Sequence, residues 1–531
     1  MSNPLLKKWL TPFETPPFSE IENRHFLPAI KSAIETAKQE IETLKAETTK
    51  ASFKNTIEML EGSGRMLDRV SSIFFNLHSA ESDEELRNLA QDISPLLTQH
   101  GNDILLDEEL FAKVKYAYDH TDLDKLSAEQ KMLLDKTYKG FVRNGALLND
   151  EKKKKLREID EKLSKIKLEF GNHVLTETQR YEKIIIDKKL LLGLPAYVIE
   201  AAKEEAKKRK REGWVFTLDF PSYSAVMKYA ENRELREEMY IAFNSKAFKG
   251  DKLDNKKTVL EIARLRNERA HLLGYSSHAS FVLEERMAKS PEKVISFLDD
   301  LLEKAKPVAE KELTRLKEFA TEQGAFFSLE PYDTSFYAEK LKQSLFKVDD
   351  EVLKPYFKLD NVLAGAFKTA GLLYGISFTE RFDIDKYNDE VRVFEVKDNN
   401  GEHLAIFYTD FFPRPGKRAG AWMTSFSGQY VTEKKDHRPQ VSIVCNFNRP
   451  TKESPSLLTF GEVTTLFHEF GHALHGMLSR GIYSSLSGTH VYWDFVELPS
   501  QIMENWCFEK ESLDHFARHY KTGKPIPETL V

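Results

Sequence analysis

Amphipathic helical periodicity runs through most of the chain up to Leu373 and is the feature that most constrains its fold. From about residue 26 to residue 178, apolar residues recur at intervals of three and four, as in FKNTIEMLEGSGRMLDRVSSIFFNLHSA. This spacing places them along one face of a helix. Turn signals interrupt the pattern only lightly, and no repeat of fixed length indicates a stacked-repeat architecture. The sequence therefore predicts a mainly α protein.

Short segments rich in β-branched and aromatic residues predict a small amount of sheet. Two strands are expected at 181–187 and 214–220, on either side of a helix that begins near Pro195. The sequence pattern changes after Tyr374, where a predicted hairpin turn at 398–401 separates the first two of a further set of strands. These strands are expected at 391–396, 403–412 and 440–447. The predicted fold class is thus mainly α with a small β-sheet.

Composition excludes several classes of protein. The 531 residues include 78 Lys and Arg against 84 Asp and Glu, a net charge of −6, so a protein that binds nucleic acid by neutralising phosphates is not expected. The basic runs at 152–155 and 203–211 lie among acidic neighbours and are interpreted as solvated helix faces. No apolar run approaches the roughly 18 residues of a membrane span, and no signal-peptide segment is expected. With only Cys445 and Cys507 as cysteines, the chain is predicted to be cytoplasmic.

The stretch GEVTTLFHEFGHALHGMLSR contains the pattern His-Glu-x-x-His, formed by His468, Glu469 and His472. At 100° per residue, both histidines and His475 fall on one narrow stripe of a helix predicted over 456–480, with apolar residues opposite. Two imidazoles one turn apart can converge on one ion at the ~2.0–2.1 Å that zinc requires. The carboxylate of Glu469 lies beside that face, where it can accept a proton from an activated water. The pattern predicts one Zn²⁺ per chain, with Glu469 as catalytic base.

A catalytic zinc site keeps three protein ligands, so one more ligand is required. His475 lies too far along the helix axis and is predicted to line the site instead. The next helical segment, WDFVELPSQIMENWCFEK, offers Asp494, Glu497 and Glu504. Asp494 and Glu497 also fit a helix-capping box, although Pro499 makes a regular helix start there unfavourable. Glu504 shares a face with Glu497 and is a candidate acceptor for the N–H of a ligating imidazole.

Together, HEFGHALHG, the following SGT and the segment DFVELPSQIMENW resemble the M3 family of zinc metallopeptidases. The segments FYTDFFPR, GAWM and VCNFNRP look most similar to the family's peptidyl-dipeptidase members. The resemblance covers essentially the whole chain and implies a helical ellipsoid of the neurolysin type, with a deep substrate channel and the zinc helix on its floor. It also implies that Glu497 is the third metal ligand beside His468 and His472.

The activity that this resemblance implies is zinc-dependent hydrolysis of short peptides by a monomer. Residues 1–240 are expected to form one wall of the channel and residues 241–531 the peptidase domain. Release of C-terminal dipeptides is the expected reaction, an oligopeptidase A-like enzyme that cuts internal bonds is an alternative, and a noncatalytic peptide-binding remnant is an alternative from another class. The segments at 404–412 and 440–447 are expected to pair with an extended peptide.

Members of the M3 family continue beyond the zinc-ligand helix into a Gly- and Tyr-rich loop whose Tyr and His side chains contact substrate. No such loop follows residue 510 in this sequence. The peptidase domain is therefore expected to be truncated at its C-terminus. We expect such a chain to bind zinc poorly or to hydrolyse peptides more slowly than a full-length relative.

Overall fold

The computed structural model describes residues 3–348 and 350–531 and is 60% helical with a small mixed sheet. The mainly α fold class predicted from periodicity is therefore confirmed. The helices of the first half are α1 (Asn23–Ala46), α2 (Met59–Gly62), α3 (Arg65–Ala80), α4 (Glu84–Leu105), α5 (Glu108–His120), α6 (Ala128–Arg143), α7 (Asp150–Arg180), α8 (Ala196–Lys208), α9 (Phe220–Tyr229) and α10 (Arg233–Asn244).

The helices of the second half surround a sheet. They are α11 (Lys256–Leu272), α12 (His278–Leu283), α13 (Pro291–Glu322), α14 (Pro331–Phe346), α15 (Asp350–Leu353), α16 (Leu359–Tyr374), α17 (Phe460–Met477), α18 (Glu497–Asn505) and α19 (Lys510–Phe516). The strands are β1 (Lys183–Ile185), β2 (Trp214–Phe216), β3 (Ser377–Glu380), β4 (Arg392–Lys397), β5 (His403–Asp410), β6 (Trp422–Ser427), β7 (Tyr430–Thr432), β8 (Lys435–His437) and β9 (Gln440–Val444).

The predicted strands are present, with shorter bounds. β1 and β2 pair antiparallel on either side of α8, whose N-cap is Pro195. The hairpin between β4 and β5 closes through Asp398, whose side chain accepts the N–H groups of Asn400 and Glu402 at 2.9 Å each. Gly401 completes the turn at φ +84°, a conformation that favours glycine. β3, β6 and the β7–β8 hairpin were not anticipated from the sequence.

The main sheet has the strand order β3-β4-β5-β9-β6 and is antiparallel except for the parallel pair β5–β9. Because side chains alternate along a strand, β5 contributes to two cores. Phe407 packs with α16 and α17, whereas Ile406 and Tyr408 pack with α1, α3 and α4. The sheet is thus covered by helices on both faces, which buries every residue of β9 and all of β5 except His403.

Strand order also decides which backbone groups are free to bind a peptide. β5 lies between β4 and β9, and β9 lies between β5 and β6. Their backbone hydrogen-bonding groups already face partner strands, so the expectation that 404–412 and 440–447 pair with a peptide is wrong. The outer strands of this sheet are β3 and β6. β6 is the outer strand that packs against α17, because Met423 and Val441 lie beside Gly476.

The loop after β5 is fixed against the turn between α3 and α4. The Ser82 N–H donates to the Gly416 carbonyl at 3.1 Å, and a Cβ on Gly416 would lie 1.9 Å from the Ser82 oxygen. Buried Asp410 accepts hydrogen bonds from Arg414 and from the buried Lys417. These contacts join the N-terminal helices to the sheet. The division of the chain at residue 240 stays a prediction.

No helix in residues 3–348 or 350–531 is both long enough and apolar enough to cross a membrane.

Candidate active site

The helix α17 presents its histidines because one side of it is fixed in the core. Its first turn is closed by a capping box, in which Thr459 Oγ1 accepts from the Glu462 N–H at 3.1 Å and Glu462 accepts from the Thr459 N–H at 2.8 Å. The apolar side chains of this helix are almost fully buried. His468 and His472 retain 24% and 12% exposure on the opposite side. The stripe predicted from helical periodicity is therefore present.

The neighbouring helix α18 approaches α17 closely enough to exclude a side chain between them. A Cβ added to Gly471 would lie 2.6 Å from Ser500 Cα and 2.7 Å from the Pro499 carbonyl oxygen. Ser500 is fully buried and donates its hydroxyl to Glu497 Oε2 at 2.8 Å. This close approach brings the Glu497 carboxylate over the histidines of α17.

His468, His472 and Glu497 bring one ligand atom each to within 4.8 Å of one another. Glu497 Oε2 lies 3.1 Å from His468 Nε2 and 3.0 Å from His472 Nε2. In a tetrahedral zinc site with bonds of about 2.0–2.1 Å, neighbouring ligand atoms are about 3.3 Å apart. The two nitrogens and one oxygen therefore fit a zinc ion, and such a set leaves a fourth position for a reactant.

Electrostatics favour the metal-binding forms of His472 and Glu497. Burial lowers the pKa of His472, which favours the neutral imidazole. Burial alone would raise the pKa of Glu497, but the Ser500 hydroxyl and the neighbouring His472 and His468 rings outweigh it and hold that pKa below its ordinary value. A neutral imidazole and an ionised carboxylate are the ligand states that zinc requires.

Glu504 fixes the orientation of one candidate ligand. Its Oε1 lies 2.6 Å from His468 Nδ1. Because an ionised carboxylate can only accept hydrogen bonds, Nδ1 carries the proton and the Nε2 lone pair faces Glu497. The contact predicted between Glu504 and a ligating imidazole is present.

Glu469 lies next to this cluster in a buried position, with 6% exposure. Among the described residues, no hydrogen-bond partner reaches its Oε2 atom. Burial raises the pKa of Glu469 to about 7 against the opposing effect of His468. A carboxylate with a free oxygen and a pKa near neutrality can both accept and release a proton.

The remaining candidates have other roles. His475 is half-buried beside the cluster and contributes no atom to it. Asp494 does not cap α18, because its two oxygens accept the backbone N–H groups of Met287 and Ala288 at 2.9 Å each. The capping-box interpretation is therefore wrong. α18 begins at Glu497, so that Pro499 falls in the first turn, where its missing N–H is not needed.

Ser500 was not identified as a site residue from the sequence. Its spacing could have indicated it, because a residue three positions after a helical ligand lies on the same face of the helix.

A His-Glu-x-x-His helix completed by a carboxylate from the next helix defines a metallopeptidase type of centre. Similarity to known proteins supports the same class of centre. The sequence profile of peptidase family M3 matches residues 226–531. Oligopeptidase A of Escherichia coli is 39% identical over 539 residues, which cover 100% of this chain and 78% of that protein. Dipeptidyl carboxypeptidase of the same organism is 36% identical over 530 residues, which cover 99% of this chain and 78% of that protein. The chain belongs to peptidase family M3 and is a metallopeptidase.

The finer expectation of greatest similarity to the peptidyl-dipeptidases is not confirmed. Oligopeptidase A of Haemophilus influenzae is 38% identical over 99% of this chain and 78% of its own length. This identity is also higher than the 36% identity of the dipeptidyl carboxypeptidase. These relatives thus define the family and the chemical class of the chain.

Proposed function

We propose that this chain hydrolyses peptide bonds in short peptides with a zinc ion held by His468, His472 and Glu497. The observation that carries the proposal is the separation of 3.0–3.1 Å between Glu497 Oε2 and the two imidazole Nε2 atoms. Three neutral or anionic donors at this spacing suit zinc and leave a position open. One ion per chain is expected.

When bound there, zinc supplies a Lewis acid that polarises the scissile carbonyl and makes water more acidic. Glu469 then performs the proton transfers. Its free Oε2 accepts a proton from the attacking water as the new C–O bond forms, and the same oxygen returns that proton to the leaving nitrogen as the C–N bond breaks. The hydrogen bond from His468 to Glu504 keeps the imidazole oriented during these steps.

We propose that β6 holds the substrate backbone. It is an outer strand of the main sheet, packs against α17, and leaves Trp422, Met423 and Thr424 half-exposed. An extended peptide that adds to this edge would gain main-chain hydrogen bonds in any sequence context. Part of the edge is already used, because Asn76 Nδ2 donates to the Ser425 carbonyl at 2.9 Å. The bound segment would therefore lie toward the Trp422 end.

The mode of cleavage has two candidates. Similarity to oligopeptidase A favours cleavage of internal bonds, and similarity to dipeptidyl carboxypeptidase favours release of C-terminal dipeptides. The higher identity supports the first. Mass spectrometry of a hexapeptide with a free or an amidated C-terminus separates them, because a peptidyl-dipeptidase should release a dipeptide from the free form alone. Cleavage of both forms at one internal bond would support the oligopeptidase.

The cellular setting is also a proposal. Cys445 and Cys507 are both buried and free, as expected in a reducing cytoplasm. We propose a monomer that acts there on short peptides without nucleic-acid or membrane partners. Sedimentation and cell fractionation test these points.

Metal analysis combined with a hydrolysis assay tests the catalytic proposal against a noncatalytic peptide-binding protein. We expect about one zinc per chain and loss of hydrolysis on chelation, restored by zinc. Replacement of His472 by Ala should remove both zinc and activity, because only two ligand atoms remain. A chain that retains zinc after this substitution, or that binds peptides without cleaving them, would contradict the assignment.

A further inference from the structure

The chain between α17 and α18, residues 478–496, leads directly into Glu497, and we call it the connecting loop. It consists mainly of turns and includes the short helical turn Ser484–Leu486. Loops move more than helices unless other parts of the chain hold them. The position of Glu497 as the proposed third ligand therefore depends on what holds the connecting loop.

The first anchor of the connecting loop is the carboxylate of Glu129, in the first turn of α6. Its Oε1 atom accepts the backbone N–H groups of Ile482 at 2.6 Å and Tyr483 at 3.0 Å. This approach requires a glycine beside it, because a Cβ on Gly481 would lie 2.8 Å from the same oxygen. Hydrogen bonds to an ionised carboxylate are roughly twice as strong as those between neutral groups. One side chain of α6 thus fixes two consecutive peptide groups of the loop.

Two more carboxylates hold the same part of the connecting loop. Tyr483 is buried among side chains of α1, α5 and α6 and donates its hydroxyl to Glu58. The Ser485 N–H donates to Glu61 Oε1 at 3.0 Å. The start of the connecting loop is therefore docked on the N-terminal helices.

The second anchor lies three residues before Glu497. The two carboxylate oxygens of Asp494 accept the backbone N–H groups of Met287 and Ala288 at 2.9 Å each. The next residue, Lys289, has φ +66°, which is uncommon for a residue other than glycine. Backbone in such a conformation persists where surrounding contacts hold it. The end of the connecting loop is therefore bound, close to Glu497, to the segment that precedes α13.

One face of α6 supports both anchors. Glu129, Lys136 and Arg143 follow one another at intervals of seven residues, which is close to two helical turns and places them on the same face. Arg143 donates to the Phe281 carbonyl oxygen at 2.7 Å and pairs with Glu284. The face of α6 that carries Glu129 thus also fixes the chain just before the segment that Asp494 binds.

Lys136 joins that segment directly to the connecting loop. Its ammonium group pairs with Glu285 and lies 4.2 Å from the centre of the Tyr492 ring, a cation–π contact. Tyr492 lies two residues before Asp494. Glu129 and Lys136 are about 10 Å apart along the helix axis, at 1.5 Å per residue. The two ends of the connecting loop are thus held at two points along one helix.

We propose that Glu129 and Asp494 are positioning residues for the third metal ligand. Neither belongs to the group of ligand atoms, and each holds one end of the connecting loop so that Glu497 meets the two imidazoles. Loss of either anchor lets Glu497 leave that position, and the lost order must be restored whenever zinc binds. The inference rests on the proposed function and adds a dependence of zinc affinity on α6.

The test compares zinc affinity, measured by competition with a fluorescent chelator, for a pair of substitutions at each anchor. Glu129→Ala removes the acceptor of two N–H groups and should lower the affinity about tenfold. Glu129→Gln keeps an amide oxygen that can accept both N–H groups, so its affinity should stay within about twofold of the wild type.

The second pair differs in a way that the geometry requires. Asp494→Ala should lower the affinity about tenfold. Asp494→Asn should fall between Asp494→Ala and the wild type, because its amide offers one oxygen where two oxygens now accept one N–H group each. These two conservative variants decide the question even if an Ala variant fails to fold.

Hydrogen exchange of the metal-free chain gives a readout that requires neither zinc nor turnover. Backbone amides of residues 478–496 should exchange faster in Glu129→Ala and Asp494→Ala than in the wild type. Asp385→Ala is the matched control, because Asp385 Oδ2 accepts the Ser19 N–H at 3.1 Å and its hydroxyl at 2.6 Å. Ile384 beside it packs on the face of the sheet opposite α17, so the control should change neither the loop nor zinc affinity.

The outcomes separate this inference from the proposed function. Faster exchange in the loop with unchanged zinc affinity would overturn the inference, because the anchors would then hold the loop without positioning the ligand. An equal loss of affinity in Asp385→Ala would overturn it as an effect of general stability. A wild-type chain that binds no zinc contradicts the proposed function, whereas Ala variants that bind zinc as tightly as the wild type contradict this inference alone.

Discussion

Substitution of Gly471 by Ala should push α18 away from α17 and weaken metal binding. The added methyl group would lie 2.6 Å from Ser500 Cα and 2.7 Å from the Pro499 oxygen, whereas carbon atoms in ordinary contact are about 3.5–4.0 Å apart. The helices must therefore separate by about 1 Å. Glu497, which lies on the displaced helix, then moves away from the Nε2 atoms that it now meets at 3.0–3.1 Å.

The loss of zinc affinity follows from the free energy needed to bring α18 back against α17 when zinc binds. Overpacking of this kind costs about 1–3 kcal/mol, and zinc binding must supply that energy to return Glu497 to the site. The apparent zinc affinity should fall by about 5- to 150-fold. Competition with a fluorescent chelator measures this affinity, and the hydrolysis rate at limiting zinc should fall in parallel.

A matched control lies on the same helix. A Cβ on Gly461 would meet only Thr459 Oγ1, at 3.9 Å, so Gly461→Ala should leave zinc affinity unchanged and stabilise the helix by up to about 1 kcal/mol. Wild-type zinc affinity and activity in the Gly471→Ala chain would refute the view that close helix packing positions Glu497.

Two further predictions concern the surroundings of the site and the stability of the fold. Glu504→Ala should weaken zinc binding by about 10- to 100-fold because His468 loses the acceptor that orients it, and Glu504→Gln should fall between that variant and the wild type in chelator competition. Burial lowers the pKa of His78 to about 4, so the unfolded chain takes up this proton first and stability should fall from pH 7 toward pH 4, by up to about 3 kcal/mol. His78→Phe should reduce that loss in denaturant titrations, and an unchanged pH dependence would contradict the assignment.

Local patterns in the sequence were sufficient to predict the helix α17 and its histidine stripe. Its periodicity places His468 and His472 on one stripe, because that feature depends on residues within a few turns. The helix was predicted over 456–480 and extends over Phe460–Met477. Strands β4, β5 and β9 were also predicted, from segments rich in β-branched and aromatic residues. These predictions needed no knowledge of distant contacts.

Contacts between distant segments explain what the sequence could not provide. β5 and β9 pair in parallel although about thirty residues separate them, as in the pair Ile406 and Gln440. No local pattern indicates that these two strands are neighbours. The sequence therefore wrongly assigned peptide binding to β5 and β9, which are inner strands. β6 was missed because its segment, WMTSFS, mixes polar and apolar residues at a half-exposed edge. The place of Glu497 likewise depends on the packing at Gly471.

The basic run at 203–211 shows a related limit. The run has acidic residues beside it, so composition alone predicts an ordinary solvated helix. Only the fold places Lys208 opposite the loops that carry Arg418 and Lys452 across one cavity. A cavity lined by residues of separate segments leaves no signature in any one of them.

The most direct test of the central claim is the hydrolysis rate of a Glu469→Gln chain whose bound zinc is measured on the same sample. Glu469 is not among the three ligands, so the variant should retain about one zinc per chain. Its amide cannot accept the proton from water, so peptide hydrolysis should fall to background. Hydrolysis at the wild-type rate with zinc bound would contradict the role of Glu469, and loss of zinc from this variant would contradict the ligand set.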